Sequence, residues 1–272
     1  MPVMVCLTLE AALKIEVRPD WWKDFFDRTY LVTDARSVEN PRLTSQEVDL
    51  LIDLLKLEKS HRILDLCGGH GRHSLELGRR GYSHLTVLDY SRFLIEEGKR
   101  RASEEGIRIE FRKGDARYSE FEDCCYDAVF IMGNSLGYSS EEKDDFAMLR
   151  EANRVLKGGG GFLLDLTDHE ALFQNFKPYS CHQADPDTAI CRIREIVGSV
   201  VRVREVVHSR LRGRIKDRCY SERVYSQEKI KSLLECAGFR NIEIKKGALS
   251  RSGKEDYGLM NFRTIVVAYK QR

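Results

Sequence analysis

The 272-residue sequence has no apolar run near the roughly 20 residues that a membrane-spanning helix needs. A secretory leader is not expected either: the apolar stretch in residues 1–13 is broken by Glu10 and has no basic stretch ahead of it. No membrane partner is expected. Nor is there an excess of one charge, because 45 Lys and Arg stand against 43 Asp and Glu, leaving +2. That balance does not call for a polyanion, so no nucleic-acid partner is expected. Eight cysteines are present, but Cys6, Cys67, Cys124, Cys125, Cys181, Cys191, Cys219 and Cys236 include no C-x-x-C pair. Zinc frameworks and dithiol redox motifs are thereby set aside. The expectation is reduced thiols in a cytoplasmic protein, with no metal site and Cys124-Cys125 a loop coincidence. Internal repeats and low-complexity stretches are also lacking.

What is present centres on residues 62–92. Ile63 to Leu66 reads as a buried strand, broken by a turn with Gly68, Gly69 and Gly71. Ser74, Leu75 and Leu77 begin a helix that stops at Gly81, and a second apolar run, Leu85 to Leu88, ends on Asp89. Strand, glycine turn, helix, strand and acid form the βαβ grammar of a nucleotide site at parallel strand ends. Glycine lets backbone approach a ligand, the helix start offers unpaired N–H groups, and a terminal acid suits two ribose hydroxyls.

Around this unit, residues 1–43 form an N-terminal cap segment with Trp21, Trp22, Phe25, Phe26 and Tyr30, a helix starting near Pro19 and Asp20. Thr44 with Glu47 reads as a capping box opening a second helix, with a core stripe of Val48, Leu51, Ile52, Leu54 and Leu55. Ser91 caps a helix with a charged outer face. Strands follow at Ile107 to Phe111, Asp127 to Met132 and Phe162 to Leu166. Between the last two lie a helix from Glu141 to Leu156 and a sharp turn at residues 157–161. The alternation argues an α/β fold with a doubly wound parallel sheet over residues 44–179. Residues 180–225 change rhythm and read as three inserted antiparallel strands. A basic face there, Arg192, Arg194, Arg202 and Arg204, is read chiefly as solvated, with anion binding as the alternative. Residues 226–272 return to the α/β core: Ser226 caps a helix closing on Gly238, and strands follow at Ile242 to Ile244 and Thr264 to Tyr269.

Taken together, Asp65-Leu66-Cys67-Gly68-Gly69-His70-Gly71, Asp89, Gly114-Asp115-Ala116, Leu156-Lys157-Gly158-Gly159-Gly160 and Leu234-Glu235-Cys236-Ala237-Gly238-Phe239 resemble the class I S-adenosylmethionine (SAM)-dependent methyltransferases, of the bacterial and archaeal small-molecule type. The resemblance covers roughly residues 20–272. It departs at Cys67, where glycine is common, and at Lys157-Gly158, where Lys-Pro is usual; Cys67 is small enough to keep the turn. It implies a Rossmann-like seven-stranded sheet with the last strand antiparallel and SAM across the strand tips. Carried over, Asp65, Cys67, Gly68, Gly69 and Gly71 would approach the methionine part and Arg72 its carboxylate. Asp89, with Tyr90 beside it, would take the ribose, Asp115 and Ala116 the adenine, Met132 and Gly133 the sulfonium side, and Tyr30 would lie over the cofactor. S-adenosylhomocysteine would be the product. A dinucleotide oxidoreductase is the competitor, because Gly69 to Ser74 nearly fits G-x-G-x-x-G/A, but it leaves the later motifs unexplained.

Methyl transfer from a sulfonium is an in-line displacement in which alignment does much of the work, and a neutral acceptor must also lose a proton. His169, just past the fifth strand, is the candidate base, with a surface histidine beside Asp168 as the plainer reading. Tyr30 and Tyr138 are candidate walls, Trp21 and Trp22 packing residues, and His70 and His73 shapers of the loop. Gly133-Asn134-Ser135-Leu136-Gly137-Tyr138 lacks the Asn/Asp-Pro-Pro-Tyr signature and no Pro-Cys follows the fourth strand. The expectation is therefore methyl transfer to oxygen or nitrogen of a small-molecule acceptor, by a monomer or homodimer. The alternatives are an RNA or protein methyltransferase docking through the inserted strands, and a SAM-binding protein without turnover.

Overall fold

The computed structural model describes residues 14–249 and 257–272; Cys6 and the apolar start at residues 1–13 lie outside them. Short helices α1 (Trp22–Phe25), α2 (Arg28–Thr33) and α3 (Ala35–Val38) lead into α4 (Pro41–Leu55). The α/β alternation then runs β1 (Ile63–Leu66), α5 (Arg72–Arg79), β2 (Leu85–Asp89), α6 (Arg92–Glu104), β3 (Glu110–Lys113), β4 (Tyr126–Ile131), α7 (Glu142–Val155) and β5 (Leu156–Thr167). After α8 (His169–Gln174) come β6 (Tyr179–Gln183), β7 (Thr188–Val197), β8 (Val200–Ser209) and β9 (Gly213–Arg223). The chain ends with α9 (Gln227–Cys236), β10 (Phe239–Lys246), a 3-10 turn at Gly258–Asn261 and β11 (Arg263–Lys270).

β1 is buried at all four residues because parallel strands are covered on both faces. The main sheet has the order β10-β11-β5-β4-β1-β2-β3, with β11 antiparallel to both neighbours. Leu149 and Val155 of α7 with Ile230 and Leu234 of α9 fill one face; Val48 and Leu51 of α4 with Leu77 of α5 fill the other. Among the described residues no helix is long and apolar enough to cross a membrane.

Several sequence expectations are corrected. The α4 cap is Asn40, whose side chain accepts from the Leu43 N–H at 3.1 Å, with Pro41 as first helical residue. Thr44 lies inside the helix and its hydroxyl donates to the Asn40 carbonyl at 3.0 Å, which frees Glu47 for the core. Residues 157–161 do not form a free turn: the glycines are taken into β5 as an irregularity, Tyr126 facing Leu156 and Ala128 facing Gly161. The insertion has four strands, in the order β6-β7-β8-β9. Its basic face does not exist as one face. Register sets Arg192 opposite Glu205 and Arg194 opposite Val203, but Arg202 opposite Glu195 and Arg204 opposite Cys219 on the other side. Arg192 and Arg194 are buried. Cys181 and Cys191, expected reduced, form a disulfide, because the β6–β7 register sets them directly opposite with Cα atoms 4.1 Å apart. Cys67, Cys124, Cys125, Cys219 and Cys236 remain free.

Candidate functional site

At the carboxyl ends of β1, β2 and β4 lies a cavity of about 150 Å³. Its floor is the glycine loop. Cys67 leaves β1 with φ 61°, the left-handed region that glycine enters at less cost, and a small side chain keeps the turn. A Cβ on Gly68 would lie 2.5 Å from Asp65 Cγ, so only glycine fits over that carboxyl. Gly68 and Gly69 line the cavity. Gly71 does not; it starts α5 and packs beneath, where a Cβ would come 2.9 Å from the Phe111 ring.

Asp65 is buried under the loop. Ser74 Oγ donates to Oδ2 at 3.0 Å, while Oδ1 has no hydrogen-bond partner, and burial pushes the carboxyl up to about 7. Asp89, the last residue of β2, accepts from the Gly69 and Ser91 N–H groups, each at 2.8 Å. Its pKa is raised by burial against those bonds. Tyr90 stands next to it with its ring edge-on to Trp22 at 4.9 Å. Asp115 and Ala116 form the wall after β3. Burial raises Asp115, but the Arg117 guanidinium, bonded at 2.6 Å, holds it below its ordinary value.

The opposite wall is Met132 and Gly133 after β4, with Tyr30 and Tyr138 above. The Gly133 N–H donates to Asp165 Oδ2 at 2.8 Å. Asp165 in turn takes Arg263 Nε at 2.7 Å and its Nη2, while Arg263 Nη1 reaches Glu47. Glu47 also binds Arg72 and, at 2.9 Å, His73. Burial alone would raise Glu47; Arg72 and Arg263 hold it well below the carboxylate range. Arg72 therefore lines the cavity with its guanidinium already on Glu47 and, at 2.9 Å, Thr44. Burial, aided by nearby arginines, lowers His70 to about 3 and His73 to about 4, so both are neutral.

His169 is not brought to this cavity. It opens α8 beyond the end of β5, stacks on Phe173 at 4.6 Å and faces a separate small pocket with Thr167 and Ser226. Conversely, the tryptophans do more than pack: Trp22 lines the strand-tip cavity and Trp21 a neighbouring one. Arg117, Asn134 and Glu222 are wall residues missed in the sequence reading. Arg117 carried a local signal, two residues after Asp115. Glu222 carried none, since its strand reads as alternating and polar.

Residues 63–160 match the family described as "Methyltransferase domain". A ubiquinone/menaquinone biosynthesis C-methyltransferase UbiE from Ruegeria sp. is 36% identical over 137 residues, 49% of this chain and 52% of that protein. The chain thus spans about half the length of the curated relatives it matches. A SAM-dependent methyltransferase structure from Clostridium acetobutylicum superposes with TM-score 0.72 at 17% identity, covering 90% of this chain and 97% of that one. SAM-bound CalS10, an amino pentose methyltransferase from Micromonospora echinaspora, gives TM-score 0.63 at 16% identity, with 84% and 92% covered. At these identities the structural likeness is one of fold. Residues 63–160, which carry the glycine loop and the first strand tips, thus match a methyltransferase domain, and the seven-stranded sheet with its last strand reversed has the fold of SAM-dependent methyltransferases.

Proposed function

We propose that this protein transfers the methyl group of SAM to an oxygen or nitrogen of a small-molecule acceptor by in-line displacement, leaving S-adenosylhomocysteine. The observation that carries the reading is Asp65 Oδ1: a buried acceptor without a partner, under the one loop residue whose missing side chain leaves it room. A ligand amino group would satisfy it. Asp89 is pre-aimed by two backbone donors, with lone pairs left for ribose hydroxyls. Asp115 and Ala116 suit an adenine edge, and Arg72 keeps donors beyond those on Glu47 and Thr44 for a carboxylate.

Bound there, the cofactor supplies a methyl group already activated on a sulfonium. The chain's task is then alignment and exclusion of water, which Tyr30, Tyr138 and the N-terminal aromatics serve by roofing the cavity. The Ruegeria relative is a C-methyltransferase, which favours carbon as the second reading of the acceptor atom. The test is calorimetry of SAM and S-adenosylhomocysteine on wild type, Asp89→Ala and Gly68→Ala. Binding by wild type and its loss in both variants is expected; absence of binding by the wild type refutes the proposal. Product analysis of the methylated compound separates oxygen, nitrogen and carbon, and His169→Ala is expected to leave turnover unchanged.

A further inference from the structure

A second cavity, of about 100 Å³, shares Tyr30, Tyr138 and Gly133 with the first. Its walls come from segments far apart in sequence: Trp21 and Phe25 of the N-terminal cap, Tyr220 and Glu222 of β9, and the turn before β11. The rings form a box, Trp21 lying 4.9 Å from Tyr138 and 5.5 Å from Tyr220, and Phe25 5.0 Å from Tyr220. Both arginines at its walls are committed, Arg192 to Glu205 and Asp34, Arg72 to Glu47. Glu222 differs. It is 6% exposed, accepts from Thr167 Oγ1 at 3.1 Å and faces the Asn134 amide, yet meets no cation among the described residues.

An aromatic box with one uncompensated buried acid lacks a positive charge. We propose that this cavity holds the methyl acceptor as a small amine, with Glu222 pairing with its ammonium and accepting one of its protons. The inference rests on the methyltransferase reading above. The N–H bond breaks toward the Glu222 carboxylate and leaves a neutral amine. The nitrogen lone pair then forms the bond to the methyl carbon as the carbon–sulfur bond breaks and its pair stays on sulfur. The products are the N-methylammonium and S-adenosylhomocysteine, and Glu222 returns its proton to solvent.

Burial lifts the Glu222 carboxyl to about 8, with the Asp165 charge adding to it. The other titratable or charged groups lining the cavity are Tyr30 and Asp34 of the N-terminal cap, Arg72 at the start of α5, Tyr138 after β4, Arg192 of β7, Tyr220 on its own strand, and Tyr257 before β11. A base poised near neutrality is suited to taking a proton from an ammonium.

The test is calorimetry on protein loaded with S-adenosylhomocysteine, using phenethylamine and cyclohexylamine beside their neutral counterparts, phenethyl alcohol and cyclohexanol. Wild type is expected to bind at least one amine about tenfold tighter than its alcohol, a difference of about 1.4 kcal/mol. The preference should grow as pH rises through the Glu222 titration. Glu222→Gln, which keeps an acceptor for Thr167, should bind S-adenosylhomocysteine as wild type does yet lose the preference and its pH dependence; Glu222→Asp should restore part of it. Equal binding of amines and alcohols, binding of neither, or a preference that survives Glu222→Gln overturns the inference alone. Failure of the wild type to bind S-adenosylhomocysteine overturns the methyltransferase reading and this inference with it.

Discussion

Each cavity is braced from behind by a buried charge cluster, and the two clusters are mirror images in sign. Behind the strand-tip cavity one arginine, Arg263, lies between two carboxylates, Asp165 and Glu47, with side-chain exposures of 1%, 0% and 2%. Behind the second cavity one carboxylate, Glu205, lies between two arginines, Arg192 and Arg218. The first ties α4, β5 and β11 together and fixes the Gly133 N–H through Asp165. The second ties β7, β8 and β9 to the N-terminal helices, Arg218 donating to the Phe25 carbonyl at 2.7 Å. The difference lies in reserves. Arg192 and Arg218 each reach a second, part-exposed acid, Asp34 at 3.1 Å and Asp27 at 3.4 Å. Glu47 likewise has Arg72 as a second cation, but Asp165 has none besides Arg263 among the described residues. The cofactor side is thus built to stay fixed, the acceptor side to give more readily.

Arg263→Met should show the largest effect. It leaves Asp165 buried without a cation, an error of the kind that costs about 3–5 kcal/mol. Urea unfolding should show it as a lower midpoint at unchanged slope. SAM binding should weaken in parallel, since Gly133 loses its fixed anchor.

Next in size comes a pH effect, because each cavity also holds a buried acid whose titration its surroundings raise to about 7 or 8. Asp65 titrates at about 7 in the folded chain and Glu222 at about 8, against about 4 for ordinary carboxyls. Between those values the folded state keeps a proton that the unfolded chain has released. The contribution of these two groups is therefore full below about pH 4 and is lost as pH rises to 7 or 8. Asp65→Asn should flatten the fall up to about pH 7, and Glu222→Gln should flatten a fall that continues to about pH 8. Identical windows in the two variants would erase the distinction between the cavities. Thermal unfolding across that pH range reads both.

Glu205→Gln tests the reserve on the acceptor side. Asp34 and Asp27 still face the two arginines, the amide still accepts a hydrogen bond, and Arg218 keeps its place over the Phe25 ring at 3.7 Å. A loss of about 1–2 kcal/mol is expected, below that of Arg263→Met. An equal loss would break the comparison.

These clusters also mark where the sequence stops being readable. The glycine loop, Asp89 at the end of β2, and the Ser91 and Ser226 caps are set by neighbours a few residues away, and each was legible as a local pattern. Glu47 and Arg263 stand 216 residues apart, and nothing in either neighbourhood announces the other. Glu47 even fitted a false local pattern, three residues after Thr44, which lost to Asn40-Pro41 because proline suits the first helical position. β6 was missed because it is a short edge strand whose residues alternate between exposed and half-buried. The Cys181–Cys191 pairing was hidden with it, since only the β6–β7 register sets those residues opposite.

The outer face of the inserted sheet gives the smallest and most discriminating test. Read along the sequence, Arg192, Arg194, Arg202 and Arg204 suggested one basic surface, but register splits them. Arg192 and Arg194 turn inward, and Arg202 and Arg204 point outward onto Glu195 and Asp217. Outward pairs of this kind contribute about 0–1 kcal/mol. Arg204→Ala should therefore change the melting temperature little, and should do so less at high salt, where such pairs are screened. A large loss, insensitive to salt but dependent on protein concentration, would instead mean that this face is covered by a second copy of the chain. The acceptor-side sheet would then owe its rigidity to assembly and not to Glu205, and the contrast with the Arg263 cluster would have to be redrawn between dimer and monomer.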